Sequence, residues 1–281
     1  MTKWLSRTGW RHGVAALALV FSLFPIVFVV SAALNPLGTL SSTSAAPTEV
    51  SFVNFGNLLD DTGFTRWFGN SLLIAGVSAA ASVFLSALAA YAFSRMRFRG
   101  RRVGLLALLL IQMFPQFLAI VAIFLMFSRI TDLWPAIGFN TAWGLILLYL
   151  GGALGVNTWL MKGFFDTVPR ELDESATMDG ATHAQTFFRI LLPVVSPILA
   201  VTGLLAFIGT INEFLIANVF LTDTGAKTLS VGMYGLVAGE RNNNFGMFCA
   251  GTLLTAIPTV VFFYAAQRYI VGGLTSGAVK G

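Results

Sequence analysis

Residues 71–102 read SLLIAGVSAAASVFLSALAAYAFSRMRFRGRR. Ser71 to Phe93 runs 23 residues without a charge, and arginines then follow at 95, 97, 99, 101 and 102. About 20 apolar residues cross the hydrocarbon of a bilayer as a helix. Clustered Lys and Arg mark the end left in the cytoplasm. The stretch therefore predicts a transmembrane helix that emerges into the cytoplasm at Ser94. The arginine cluster is read as a topology anchor in preference to a nucleic-acid patch.

The rest of the chain agrees. Its 281 residues are 56% hydrophobic and 10% charged, with mean hydropathy +0.80. A soluble domain carries about 25% charged residues, so lipid must stand in for water over much of this surface. Six stretches are long enough to span: Val14–Leu34, Ser71–Phe93, Val103–Phe127, Ala142–Leu160, Val194–Leu221 and Phe248–Ile270. Pro115 interrupts the third and Pro197 lies near the start of the fifth. With the N-terminus inside, 13 of the 17 Lys and Arg fall on the cytoplasmic side and 4 outside. Both termini are thus expected in the cytoplasm. The first span follows Lys3, Arg7 and Arg11 and is too long for a signal h-region. It reads as a retained helix, with cleavage near Ser31-Ala32-Ala33 as the alternative.

The fold class expected is all-α, a polytopic membrane protein. Residues 1–68 hold an N-terminal tail, the first helix and an external loop. Residues 69–270 form a core of five helices, and 271–281 a cytoplasmic tail. The external loops, Asn35–Gly69 and Thr222–Gly246, are rich in polar residues and glycine. Cys249 is the only cysteine, and His12 and His183 are far apart, so no disulfide or metal centre is expected. Gly225-Ala226-Lys227-Thr228 lacks the glycine before lysine that a phosphate loop needs. The spans hold no histidine and no paired carboxylates, which argues against an intramembrane enzyme.

One cytoplasmic segment, residues 169–193, is more than a connector. It reads PRELDESATMDGATHAQTFFRILLP. Pro169 suits a helix start, and Glu171, Asp173 and Glu174 suit its positive end. Gly180 can close the helix in a left-handed conformation. Thr182 then opens a second helix carrying Phe187, Phe188, Ile190 and Leu191, which Pro193 closes. Small residues (Ser175, Ala176) allow close approach to a groove, and four acids suit a basic groove wall. A lipid-surface helix would favour Lys and Arg instead. The segment reads as a docking element.

These residues resemble a known pattern. The permeases of binding-protein-dependent ABC importers, with their MetI-like fold, carry a cytoplasmic loop of form E-A-A, three residues, G, nine residues, I-x-L-P. Here it reads Glu174-Ser175-Ala176, three residues, Gly180, nine residues, Ile190-Leu191-Leu192-Pro193. Serine replaces the first alanine. Thr228–Met233, Asn212-Glu213-Phe214, Ala266-Gln267-Arg268 and Gly273–Gly281 further resemble the smaller permease subunits of maltose/maltodextrin importers. The likeness spans nearly the whole chain and is weakest over Asn35–Gly69. It implies a non-catalytic permease of the bacterial inner membrane that passes a sugar into the cytoplasm, maltodextrin, trehalose and related oligosaccharides being open. It implies ATPase docking at Glu174, Ser175, Ala176, Asp179, Gly180, Ile190, Leu192 and Pro193, and a tail contact through Thr275, Ser276 and Lys280. The implied partners are a second homologous permease, two ATPase subunits that use ATP and Mg, an external solute-binding protein and the bilayer, with no nucleic acid. No cofactor binds this chain. Alternatives are an ABC permease for a non-sugar solute, or a stand-alone secondary transporter or channel.

Three single-residue features remain. Glu213 is the one carboxylate inside an expected span. An intramembrane acid is a functional candidate; for Glu213 a structural hydrogen bond or a gate contact is read ahead of proton coupling, and Asn212 with Glu213 is the candidate gate or pathway pair. Gly151 and Gly155 match small-xxx-small, a helix-packing pattern. Met113, Phe114 and Phe117 either line a pathway or pack.

Overall fold

The structure is a computed structural model that describes residues 2–40, 43, 49–238 and 244–278, with side chains for all of these except 2–9, 116, 117 and 270–278. Every regular element among the described residues is helical. In chain order they are α1 (Thr2–Leu34), α2 (Val53–Asp60), α3 (Phe64–Arg95), α4 (Arg101–Gln112), α5 (Ile120–Leu133), α6 (Ala142–Gly151) and α7 (Val156–Thr167). Then come α8 (Glu171–Met178), α9 (His183–Gln185), a π-helical turn (Thr186–Leu191), α10 (Leu192–Val194), α11 (Ser196–Ile211), α12 (Leu215–Phe220), α13 (Leu229–Val237) and α14 (Phe245–Ala278).

All six expected spans are helical, some in one piece and some in two. Trp10–Leu34, Phe64–Arg95 and Phe245–Tyr269 are each long and apolar enough to cross a membrane. Two bent pairs, α6 with α7 at 58° and His183–Val194 with α11 at 78°, are long and apolar enough only when each pair is taken together. The third expected span falls on α4 and α5, parted around Pro115 by a short 3-10 turn, Gln116–Ala119. Proline removes a donor and clashes with the preceding turn. The loops expected outside are not wholly irregular: α2 lies in the first and α13 in the last. α14 runs on to Ala278, past the expected end of the last span.

The chain divides into two compact units. The first comprises residues 1–65 and 232–257. In it, Asn54 of α2 donates to the carbonyls of Ala33 (2.9 Å) and Asn35 (2.8 Å), securing the end of α1. Gly246 donates to the Gly38 carbonyl at 2.8 Å. A Cβ on Gly246 would lie 2.6 Å from the Asn54 amide, so glycine is required there. Much of α1 is exposed and apolar, including Phe21 and Val20, as a lipid-facing helix should be.

The second unit comprises residues 66–231 and 258–281. Within a bilayer, lipid is as apolar as leucine, so helices associate through close packing and polar links. α3 is built for this. Ala75, Ala79, Ser82, Ser86 and Ala90, spaced along one face, are all buried. Three groups pack on α3 in this unit. Ile74 meets Phe127, Leu145, Ile146, Phe220 and Val231. Ala75 and Ala79 meet Phe207 and Ile211. Ala87, Ala90 and Tyr91 meet Met161, Phe165, Phe187, Leu191 and Val195.

Broken helices leave carbonyls that lipid cannot satisfy. At the α6–α7 break, Ser86 Oγ donates to Ala153 O (3.0 Å) and Gln112 Nε2 to Gly152 O (3.1 Å). Gly151 and Gly155 therefore flank a bend and do not form a packing face. No atom lies near a Cβ placed on Gly151, whereas one on Gly155 would overlap the Gln112 side chain.

Candidate functional site

The segment 169–193 folds as its sequence suggests at its start. α8 begins just after Pro169, with Glu171, Asp173 and Glu174 in its first turn. Its end is a Schellman arrangement: Ala181 N–H donates to Ala176 O (2.9 Å) and Gly180 N–H to Thr177 O (3.0 Å). Gly180 has φ +80°, the left-handed conformation this turn needs. Thr182 then forms a capping box with Gln185: Gln185 N–H donates to Thr182 Oγ1, and Thr182 N–H to Gln185 Oε1.

The second half differs from the expected plain helix. A π-helical turn occupies Thr186–Leu191, and the chain bends after Val194. Pro193 begins the short α10 and does not itself end the helix. The wider turn lets Phe187 and Leu191 both reach the α3–α7 core, where each is buried. Phe187 stacks against Phe165 at 6.5 Å and tilts over Tyr91 at 5.1 Å.

The predicted docking residues separate into two sets. Glu174, Ser175, Asp179, Gly180 and Pro193 are exposed, and Ile190 and Leu192 are half-buried. Ala176 is 4% exposed and packs inward. The small-residue argument thus holds outward only for Ser175. Met178, 89% exposed at the end of α8, is an outward apolar knob that helix-capping logic did not single out.

Asp173 also turns inward. Its Oδ2 lies 2.9 Å from Arg95 Nε, with side chains 22% and 8% exposed. The N–H does not point along this line, so the contact is an ion pair without a regular hydrogen bond. Arg95 Nη2 donates to Val168 O at 2.8 Å, and Ser94 Oγ to Asp166 Oδ1 at 2.6 Å. Lys162 pairs with the other oxygen of Asp166. Arg95, Arg170, Asp173, Glu174, His183 and Thr186 border an open cleft beside α8. Arg95 carries no separate signal in the sequence, because a cluster of five arginines is already explained by topology.

Glu213 sits in the break between α11 and α12. Its carboxylate accepts from the N–H groups of Ile216 (2.8 Å) and Ala217 (2.9 Å), capping α12. The hydroxyl of Tyr149, on α6, donates to it at 2.6 Å. Asn212 works separately, donating back to Ile208 O at 2.8 Å. Met113 and Phe114 are exposed at the α4–α5 break, and the side chain of Phe117 lies outside the described ones. In the tail, Thr275 and Ser276 lie on α14 with side chains outside those described, and Lys280 lies outside the described residues.

At the other end of α3, the segment 222–229 is held by side chains from α3 and from the turn before α6. Asn140, at φ +60°, accepts from the N–H groups of Thr222 (2.7 Å) and Asp223 (2.9 Å). Asn70 Nδ2 donates to Gly225 O and Lys227 O, both at 3.0 Å, and Trp67 Nε1 to Thr224 O at 3.1 Å.

All-helical among its described residues, with several helices apolar enough to span a membrane and a structured loop of this pattern, the chain has the build of a transport permease. The chain belongs to the family described as binding-protein-dependent transport system inner membrane component, which its residues 82–275 match. It is an ABC-transporter permease of the inner membrane that crosses the bilayer several times.

Its relatives are sugar permeases. It is 38% identical to the galactooligosaccharides transport system permease protein GanQ of Bacillus subtilis (strain 168), over 95% of this chain and 93% of that one. It is 38% identical to the maltose/maltodextrin transport system permease protein MalG of Escherichia coli (strain K12), over 96% of this chain and 95% of that one. The fold resembles a chain of a bacterial ABC transporter involved in the import of the acidic polysaccharide alginate. The TM-score is 0.76 at 21% identity, covering 94% of this chain and 98% of that one.

Proposed function

We propose that this chain is a permease subunit of an ATP-driven importer that passes an oligosaccharide of the maltose or galacto-oligosaccharide type into the cytoplasm. The observation that carries the reading is near-full-length identity of 38–39% to permeases named for those sugars. The exposed α8 supports the driving mechanism. Glu174, Ser175, Met178 and Asp179 present an acidic, small-residue edge with one apolar knob, suited to a basic groove in a separate ATPase subunit. ATP and Mg belong to that subunit, and this chain catalyses nothing itself. The excess of Lys and Arg supports both termini in the cytoplasm. Residues 69–270 form the permease core, with the docking loop at 169–193 and a tail beyond 270.

In this reading two ATPase subunits close on ATP. Their movement reaches the core through residues 174–193 and opens the path between this chain and a second, homologous permease. A solute-binding protein delivers the sugar at the opposite face. The test is ATPase activity of the assembled complex, with its binding protein, over a panel of sugars. Stimulation by maltodextrins or galacto-oligosaccharides is expected. Stimulation only by an amino acid or other non-sugar solute refutes the sugar assignment, and uptake by the chain without any ATPase subunit refutes the driving mechanism.

A further inference from the structure

We propose that α3 is a connecting rod between the docking helix and the loop at the opposite face, with Arg95 and Asn70 as the positioning residues at its two ends. The proposal rests on the ATPase-docking reading above and deepens it.

Arg95 is not used as a topology anchor is used. Arg97, Arg99 and Arg102 are exposed, as a charge that only needs water should be, whereas the Arg95 side chain is 8% exposed and turned inward. It holds both the connector before α8, through Val168 O, and α8 itself, through Asp173. Ser94, beside it, holds α7 through Asp166. The last two residues of α3 thus grip every element that leads into the docking helix.

The other end of α3 grips a loop in the same manner. Asn70 and Trp67 hold the carbonyls of Thr224, Gly225 and Lys227, and Ser71 Oγ accepts from Leu229 N–H at 2.7 Å. From Asn70 to Arg95 the helix rises about 38 Å at 1.5 Å per residue, and it contains no proline. The neighbouring paths within this unit are interrupted, at α4–α5, at α6–α7 and at α10–α11. A displacement pushed along those is absorbed at the breaks. An unbroken helix carries it to the far end, and rigid elements of this kind carry coupling between distant sites.

The experiment uses the complete complex with its ATPase and binding protein. It compares Arg95→Gln, Asn70→Ala, the two together, and Arg97→Gln as an exposed control. Three quantities are read: ATPase subunit retained on purification, basal hydrolysis, and stimulation by sugar-loaded binding protein. Each single variant is expected to keep the ATPase subunit and basal hydrolysis but to lose about tenfold in stimulation, within the usual range of coupling between sites. The double variant should be no worse than the weaker single, because both cut one rod. Arg97→Gln should match the unmodified complex.

Unchanged stimulation in either single variant overturns the proposal. So do losses that multiply in the double variant. Loss of the ATPase subunit in Arg95→Gln also overturns it, since Arg95 would then build the dock and relay nothing. Failure of the unmodified permease to retain an ATPase subunit would instead sink the docking reading on which it rests.

Discussion

Replacing Gly180 tests whether the docking turn acts through its backbone or its size. Gly180 has φ +80° and closes two hydrogen bonds at the end of α8. No atom lies within 4 Å of a Cβ built there, so a side chain has room within this chain. The cost is torsional, about 1–2 kcal/mol for an L-residue in the left-handed region. That corresponds to a roughly 5- to 30-fold fall in the ratio of intact to opened turn. Asparagine visits this conformation readily, alanine poorly, and β-branched valine least. Sugar uptake by the assembled complex should therefore rank Gly, Asn, Ala, Val, with Asn near the unmodified level and Ala and Val below it. Asparagine is larger than alanine, so a clash with a partner would reverse their order. Ala above Asn would refute the torsional argument, and full uptake in all three would remove this turn from the mechanism.

Three other outcomes are expected. Glu213→Ala strips the cap from α12 and leaves the Tyr149 hydroxyl without its acceptor. The cap and the stranded hydroxyl together are worth about 2–3 kcal/mol. Thermal unfolding in detergent should show that loss, with Tyr149→Phe milder; an unchanged midpoint in Glu213→Ala would contradict the capping role. Asn140→Ala removes the acceptor that holds Thr222 and Asp223. Limited proteolysis should cut the 222–227 segment faster, while Asn140→Asp, which keeps an acceptor, should stay close to the unmodified rate. Gly144 lies where a Cβ would be 2.5 Å from the carbonyls of Ile137 and Gly138. Gly144→Ala must displace backbone, at about 1–3 kcal/mol, and lowered yield of folded protein is the readout.

The spans were legible because an uncharged run such as Ser71–Phe93 has no stable home except lipid or a buried core. The Pro115 break was legible too, since proline announces itself. The α6–α7 bend was not: the composition stays apolar through Gly152–Gly155, and the polar groups that accept the bend, Ser86 and Gln112, lie far away in sequence. The docking loop was readable through its capping residues, Pro169, Gly180 and Thr182, which act locally. Which face pointed outward was not, because Asp173 is turned in by Arg95 of α3, more than 70 residues earlier, and no local signal marks Ala176 as buried. Glu213 stood out as a lone acid, but its partner Tyr149, 64 residues earlier, carried no local signal.

The central claim is that a separate ATPase drives this permease through the exposed edge of α8. The most direct measurement is site-specific cross-linking from single cysteines to the ATPase subunit of the assembled complex. Cys249 is buried and serves as the unmodified background. Cysteines at Ser175 and Met178, both exposed, should cross-link to the ATPase subunit, and one at Ala176, 4% exposed, should not. Absence of cross-linking from Ser175 and Met178, or equal yield from a position in the 222–227 segment, would contradict it.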